Sequence, residues 1–134
     1  MPHLSIEYSS GLEARTDMAA LCASVHEAIV ATGFFPLAGI RIRAHKADLA
    51  IIADGHAEND FAAMTLSVGA GRSVATLKEA GDRIFAAARS ALAAPLATEH
   101  FSLSLEIREI AADLSWKDTP IHARLSTSLK GDLQ

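Results

Sequence analysis

The feature that most narrows the fold is a strand, helix, strand pattern that occurs twice. HLSIEY alternates, with Leu4, Ile6 and Tyr8 on one side and His3, Ser5 and Glu7 on the other, the period of a half-buried strand that ends in the turn signal SSG. From Thr16 to about Ala31, Met18, Leu21, Cys22, Val25 and Ile29 recur at helical spacing, with Thr16 or Asp17 placed to cap the start and Gly33 to end it. After GFFPLAG, the stretch IRIRAHKADLAII returns to alternation, with Ile40, Ile42 and Ala44 on one face and Arg41, Arg43 and His45 on the other. A polar loop, ADGHAEND, then restarts the pattern. FAAMTLSVGAG puts Ala62, Met64, Leu66 and Val68 on one face, and a helix from Ser73 to Ala94 follows with Leu77, Ile84, Phe85, Ala88 and Leu92 as its apolar stripe. Ser73 is its natural N-cap and Pro95 marks its end. HFSLSLEIREI closes the second unit by setting Phe101, Leu103, Leu105 and Ile107 against Ser102, Ser104, Glu106 and Arg108.

The two units, about 2–55 and 59–110, repeat at an offset of roughly 60 residues, an internal duplication of architecture. Each helix is long enough to cross over a sheet and join parallel strands. The expected fold is therefore α+β: one domain over residues 1–134, a four-stranded sheet, and two helices on one face. The other face needs a cover, and the C-terminal segment ADLSWKDTPIHARLSTSLKGDLQ is too short to add a layer. Neighbouring copies are the economical cover, so an oligomer is expected. The tail from about Ser126 is expected to be either a free end or an arm on a neighbour.

A formal net charge of −4 leaves no basic footprint for nucleic acid, so an anionic ligand would have to meet a local cluster of arginines. The single cysteine, Cys22, falls on the apolar stripe of the first helix, as a packed thiol does. His3, His26, His45, His56, His100 and His122 have neither a paired-ligand spacing nor cysteine partners, so no metal is expected. No leader pattern and no uninterrupted apolar run of about 18 residues occurs, and the expected compartment is the cytosol, with no membrane partner.

Three features could carry chemistry. Initiator methionine is usually removed ahead of a small residue, and Pro2 would then present a free secondary amine at the head of the first strand. Arg41 and Arg43 share a side of their strand, where an arginine can grip a carboxylate with two parallel hydrogen bonds, although a solvated strand face has the same pattern. The turn Gly69-Ala70-Gly71-Arg72-Ser73 offers backbone N–H groups and a full charge to an anion, although a plain capped turn reads the same way. It lacks the lysine of a P-loop and the third glycine of a dinucleotide site.

MPHLSIEYS, ATGFFPLAGIRIRAH and VGAGRS together resemble the 5-carboxymethyl-2-hydroxymuconate isomerase branch of the tautomerase superfamily, with the likeness running to about Ile110 and on to Leu125. The resemblance implies a homotrimer of duplicated β-α-β subunits that needs no cofactor. It implies Pro2 as the proton-shuttling base, with Arg41 and Arg72 binding carboxylates; Arg43 matches as well. The implied substrate is a small unsaturated hydroxy-dicarboxylate from aromatic catabolism, the degradation of homoprotocatechuate. Chemistry is compatible with that role, because an α-amino group has a pKa near 8 and both burial and nearby arginines favour its neutral form. Two other readings are open: a tautomerase of another enol such as phenylenolpyruvate, and a non-catalytic module that binds small molecules.

Overall fold

In a computed structural model, which describes the backbone of residues 2–132 and side chains as far as Ser126, four strands lie in the order β2-β1-β3-β4. β1 (His3–Ser9) pairs in parallel with β2 (Arg41–Ala47), and β3 (Asp60–Gly69) pairs in parallel with β4 (Phe101–Ile110). The two pairs meet antiparallel along β1 and β3. Parallel neighbours need a crossover, and the two long helices, α1 (Met18–Thr32) and α2 (Val74–Ala91), supply one each. The duplication expected from the pattern is thus present as two β-α-β units side by side.

Alternation in the strands decides where the core sits. Leu4, Ile6, Met64, Leu66 and Val68 are buried beneath Leu21, Val25 and Ile29 of α1 and Ala80, Ile84 and Ala88 of α2. Each large side chain withdrawn from water in this way contributes about 1.5–3 kcal/mol. The helix ends follow local chemistry. Asp17 accepts a hydrogen bond from the Ala20 N–H at 3.1 Å, Ser73 Oγ accepts from the Thr76 N–H at 3.1 Å, and Gly33 closes α1 in the left-handed region at φ 69°.

Three expectations need correction. The second helix stops at Ala91, and Pro95 lies inside a separate turn, α3 (Ala93–Leu96), after a break at Leu92. Proline within a continuous helix would lack its N–H and press on the carbonyl of residue 91, whereas in the first turn of a new helix that N–H has no partner to lose. The alternation after His45 does not extend β2 beyond Ala47, and residues 48–59 form a loop with Leu49 and Ile51 each 93% exposed. The C-terminal segment, expected to lack a further element before a tail from about Ser126, is helical over its described length. It forms α4 (Pro120–Asp132), which packs on the short turn Leu37–Gly39. Thr119 caps this helix, its Oγ1 accepting from the His122 N–H at 3.1 Å, and Pro120 takes the first helical position, where proline fits. The removal of Met1 falls outside the described residues.

Both long helices pack on one face of the sheet. The opposite face carries His3, Ser5 and Glu7 in register with Arg41, Arg43 and His45 on one side and with Ser67, Thr65 and Ala63 on the other. At the end of the sheet where β1 finishes, Asp60 is 5% exposed and held on both oxygens: Ser9 Oγ donates to Oδ1 at 2.7 Å, and Arg15 Nε meets Oδ2 at 3.2 Å. Gly11 lies against this carboxylate, so closely that a Cβ would stand 2.7 Å from Oδ1.

Candidate active site

Strand direction brings the candidate residues to the other end of the sheet. β1 and β2 start there, while β3 and β4 finish there, with the Ala70 N–H donating to the Ile110 carbonyl at 3.0 Å. Pro2 is fully buried on the Leu4 side of β1, and its carbonyl accepts from the Arg41 N–H at 3.1 Å. The heads of the two strands are therefore fastened together.

The turn between β3 and α2 delivers Arg72. Gly71 adopts φ 118°, in the region that favours glycine, and the chain reverses there into the Ser73 cap. The Arg72 guanidinium lies 4.5 Å from the centroid of the Phe35 ring. Its Nε donates to the Phe34 carbonyl at 3.4 Å and its Nη1 to the Gly69 carbonyl at 3.5 Å. These long bonds orient the group while leaving donors available. Arg72 lines a cavity of about 380 Å³ together with Pro36, Gly39, Lys117, Thr119 and His122.

Arg41 and Arg43 share a side of β2, as the alternation predicts, but that side is the open face of the sheet. Arg41 Nη1 is 2.7 Å from His3 Nε2. A guanidinium can only donate, so Nε2 accepts and the proton of this neutral imidazole sits on Nδ1. Burial lowers the pKa of His3, and the charges of Arg41 and Arg43 lower it further. Arg43 stands beside Ser5, one step along the same face, and is exposed. The fold thus gathers Pro2, the Arg41 backbone and Arg72 at one end, and turns the Arg41 and Arg43 side chains onto the uncovered face.

Sequence reasoning missed the site placement of Lys117, Thr119 and His122, which lie just before and within the first turn of α4. The available signal was the pair Thr119-Pro120, a cap followed by a first-turn proline.

The fold also assembles residues that spacing keeps apart. The ligating atoms of His56, Glu58 and His100 lie within 4.8 Å of one another. His56 Nδ1, however, accepts from the Glu58 N–H at 3.1 Å, which puts the proton of a neutral ring on Nε2. His100 Nε2 faces Glu58 Oε2 at 3.5 Å, and Asn59 Oδ1 lies 3.0 Å from His100 Nδ1. The three read as a loop fastening, beside Asp60 and away from Pro2. Cys22 is half-buried, and burial pushes its thiol up, away from nucleophilic character. A hollow of about 480 Å³ between α2 and β4 is larger than the Arg72 cavity, but Lys78 and Asp82 offset each other on its rim and it lies at the sheet edge opposite β2. Among the described residues, no helix is long and apolar enough to cross a membrane.

Comparison with known proteins supplies a further finding. Residues 2–125 match the family model for 5-carboxymethyl-2-hydroxymuconate isomerase. The chain is 39% identical over 125 residues to the 5-carboxymethyl-2-hydroxymuconate Delta-isomerase of Escherichia coli, covering 92% of this chain and 98% of that one. It is similar to the crystal structure of a 5-carboxymethyl-2-hydroxymuconate isomerase from Deinococcus radiodurans R1, with a TM-score of 0.86 and 35% identity over 92% of this chain and 93% of that one. A more distant structure, wild-type F6 fused 4-OT solved as an asymmetric trimer, shares the fold with a TM-score of 0.66 and 18% identity, over 92% of this chain and 98% of that one.

Proposed function

The chain belongs to the 5-carboxymethyl-2-hydroxymuconate isomerase family, and we propose that this isomerase shifts the double bonds of that hydroxymuconate without a cofactor, using the amine of Pro2 as its base. The observation that carries the reading is the convergence of a buried Pro2, tied to Arg41, with Arg72 in a cavity at the same end of the sheet. Once Met1 is removed, burial at that strand head disfavours the charged form of the amine.

The substrate is a six-carbon dienedioate with a hydroxyl on C2 and a carboxymethyl arm on C5, so it carries a third carboxylate beyond those of a simple hydroxy-dicarboxylate. Pro2 nitrogen takes the hydroxyl proton, electrons move along the conjugated chain, and the same proton returns to C5. The C2 hydroxyl becomes a carbonyl and the remaining double bond moves to C3–C4, so atoms and electrons balance. Negative charge spreads along the dienolate as this happens. Arg72 and Arg41 bind carboxylates and stabilise that charge from fixed positions, with Arg43 as a second cation on the Arg41 side.

The working assembly is a homotrimer. Its support is the uncovered polar face of the sheet, the apolar Leu49 and Ile51, and Trp116 at 86% exposure. Arg41 and Arg43 stand on that face, so each site is completed across a seam between copies. Homoprotocatechuate breakdown in the cytoplasm is the setting that goes with the family.

Intact mass and turnover test the base. A chain beginning at Pro2 isomerises the substrate, and one extra residue ahead of Pro2 removes the amine and lowers kcat by about 10²–10⁴-fold. Equal turnover by the extended chain refutes the mechanism.

A further inference from the structure

We propose that Lys117 and His122 form a subsite for the third carboxylate of the substrate, in the cavity that Arg72 also lines. The inference rests on the reading above and goes beyond it, because Arg72 and the Arg41 side account for only two of the three carboxylates on a carboxymethyl-substituted hydroxymuconate. A third carboxylate drawn out of water without a partner would be costly.

The cavity has the composition such a subsite needs. Arg72, Lys117 and His122 line it, with no acidic residue among the described lining residues. Among the described residues, no carboxylate forms an ion pair with Arg72 or Lys117. Pro36 and Gly39 supply an apolar and backbone wall, so the cationic side chains share the lining of a space of about 380 Å³, sized for a small acid.

His122 is also set in place by the fold. Thr119 Oγ1 accepts from the His122 N–H and the Thr119 carbonyl accepts from the Ala123 N–H at 3.3 Å, which fixes the start of α4. The helix packs on the Leu37–Gly39 turn that leads into Arg41. The Lys117 ammonium is among the charges that lower the pKa of His3, the imidazole that holds Arg41. Lys117 thus lines the Arg72 cavity and lies within electrostatic reach of His3 at the head of β1. A primary ammonium suits a flexible carboxymethyl arm, whereas the planar fork of arginine suits a carboxylate fixed by conjugation.

The test compares two substrates. 5-Carboxymethyl-2-hydroxymuconate has three carboxylates, and 2-hydroxymuconate lacks the arm. Lys117→Met is expected to lower kcat/KM for the first by about 10–100-fold, mainly through KM, and for the second by less than about 3-fold. Lys117→Arg restores most of the loss, and His122→Gln shows a smaller change with the same selectivity. Unchanged kinetics, or equal loss on both substrates, overturns the proposal.

An inert ligand separates this outcome from failure of the isomerase reading. If the natural chain turns over neither compound, the parent reading falls. Calorimetric binding of propane-1,2,3-tricarboxylate still tests the subsite. Affinity at least about 10-fold weaker in Lys117→Met, with thermal unfolding and glutarate binding unchanged, supports it. No measurable binding, or no difference between the chains, overturns it.

Discussion

Replacing Arg72 with alanine should damage catalysis far more than stability, and the geometry sets both magnitudes. In the resting fold the guanidinium stacks on Phe35 at 4.5 Å, a contact worth about 1 kcal/mol at a partly exposed position. Its hydrogen bonds to the Phe34 and Gly69 carbonyls, at 3.4 and 3.5 Å, are at the limit of useful geometry and together add no more than about 1 kcal/mol. The stability loss is therefore about 1–2 kcal/mol, a fall in Tm of roughly 4–8 °C for a chain of this size. A substrate carboxylate stripped of its arginine leaves a desolvated anion unpaired, which costs about 3–4 kcal/mol and corresponds to about 10²–10³-fold in kcat/KM. The assay follows loss of the conjugated dienol by absorbance beside a thermal melt of the same sample. Arg72→Lys, which keeps the charge but not the fork or the stacking, should fall between alanine and the natural residue. If Arg72→Ala keeps kcat/KM within about 3-fold while Tm drops by more than about 10 °C, Arg72 is a strut for the Phe35 loop and the anion-binding argument fails.

Three other outcomes follow from particular contacts. Gly11→Ala drives a methyl group into Asp60, which Ser9 and Arg15 hold in place, so urea unfolding should report a loss of about 1–3 kcal/mol with activity retained. His3 titrates below the ordinary histidine value of 6.5, so the unfolded chain binds a proton that the native chain rejects; stability rises with pH up to about 6.5 and is level above it. Urea titrations at several pH values should show that slope, and His3→Gln should flatten it; an unchanged slope would assign the effect to another group. Ala63→Arg puts a long cation in the middle of the uncovered sheet face. Sedimentation should then report the 14.1 kDa chain rather than three times that mass, with far-UV circular dichroism preserved.

The repeated pattern was readable because each element depends on a local period. Leu4, Ile6 and Tyr8 alternate, Leu21, Val25 and Ile29 recur every four residues, and both patterns survive in the folded core. Pro2 and Arg72 could be singled out for a related reason, since a strand head and a glycine-rich turn before a helix are local signals. What could not be read depends on contacts between distant segments. The Asp60, Ser9 and Arg15 cluster joins residues 51 positions apart, and no period marks a buried carboxylate. His56, Glu58 and His100 meet only because the β2–β3 loop folds against the start of β4. α4 was hidden by serine, threonine and glycine within PIHARLSTSLKGD, although Ile121 and Leu125 have helical spacing behind the Thr119-Pro120 start.

Asp60 at the head of β3 occupies the place that Pro2 occupies at the head of β1, since the antiparallel seam relates the two units about an approximate two-fold axis. A chain made of two similar halves has only one beginning, so the second half could never own a terminal amine. Its corresponding end is instead stoppered, with a carboxylate clasped by Ser9 and Arg15 and roofed by Gly11. With Pro2 as the base, the expected stoichiometry is one ligand per chain rather than one per half, and the other end, clasped by Ser9 and Arg15, serves as a pin between the two halves.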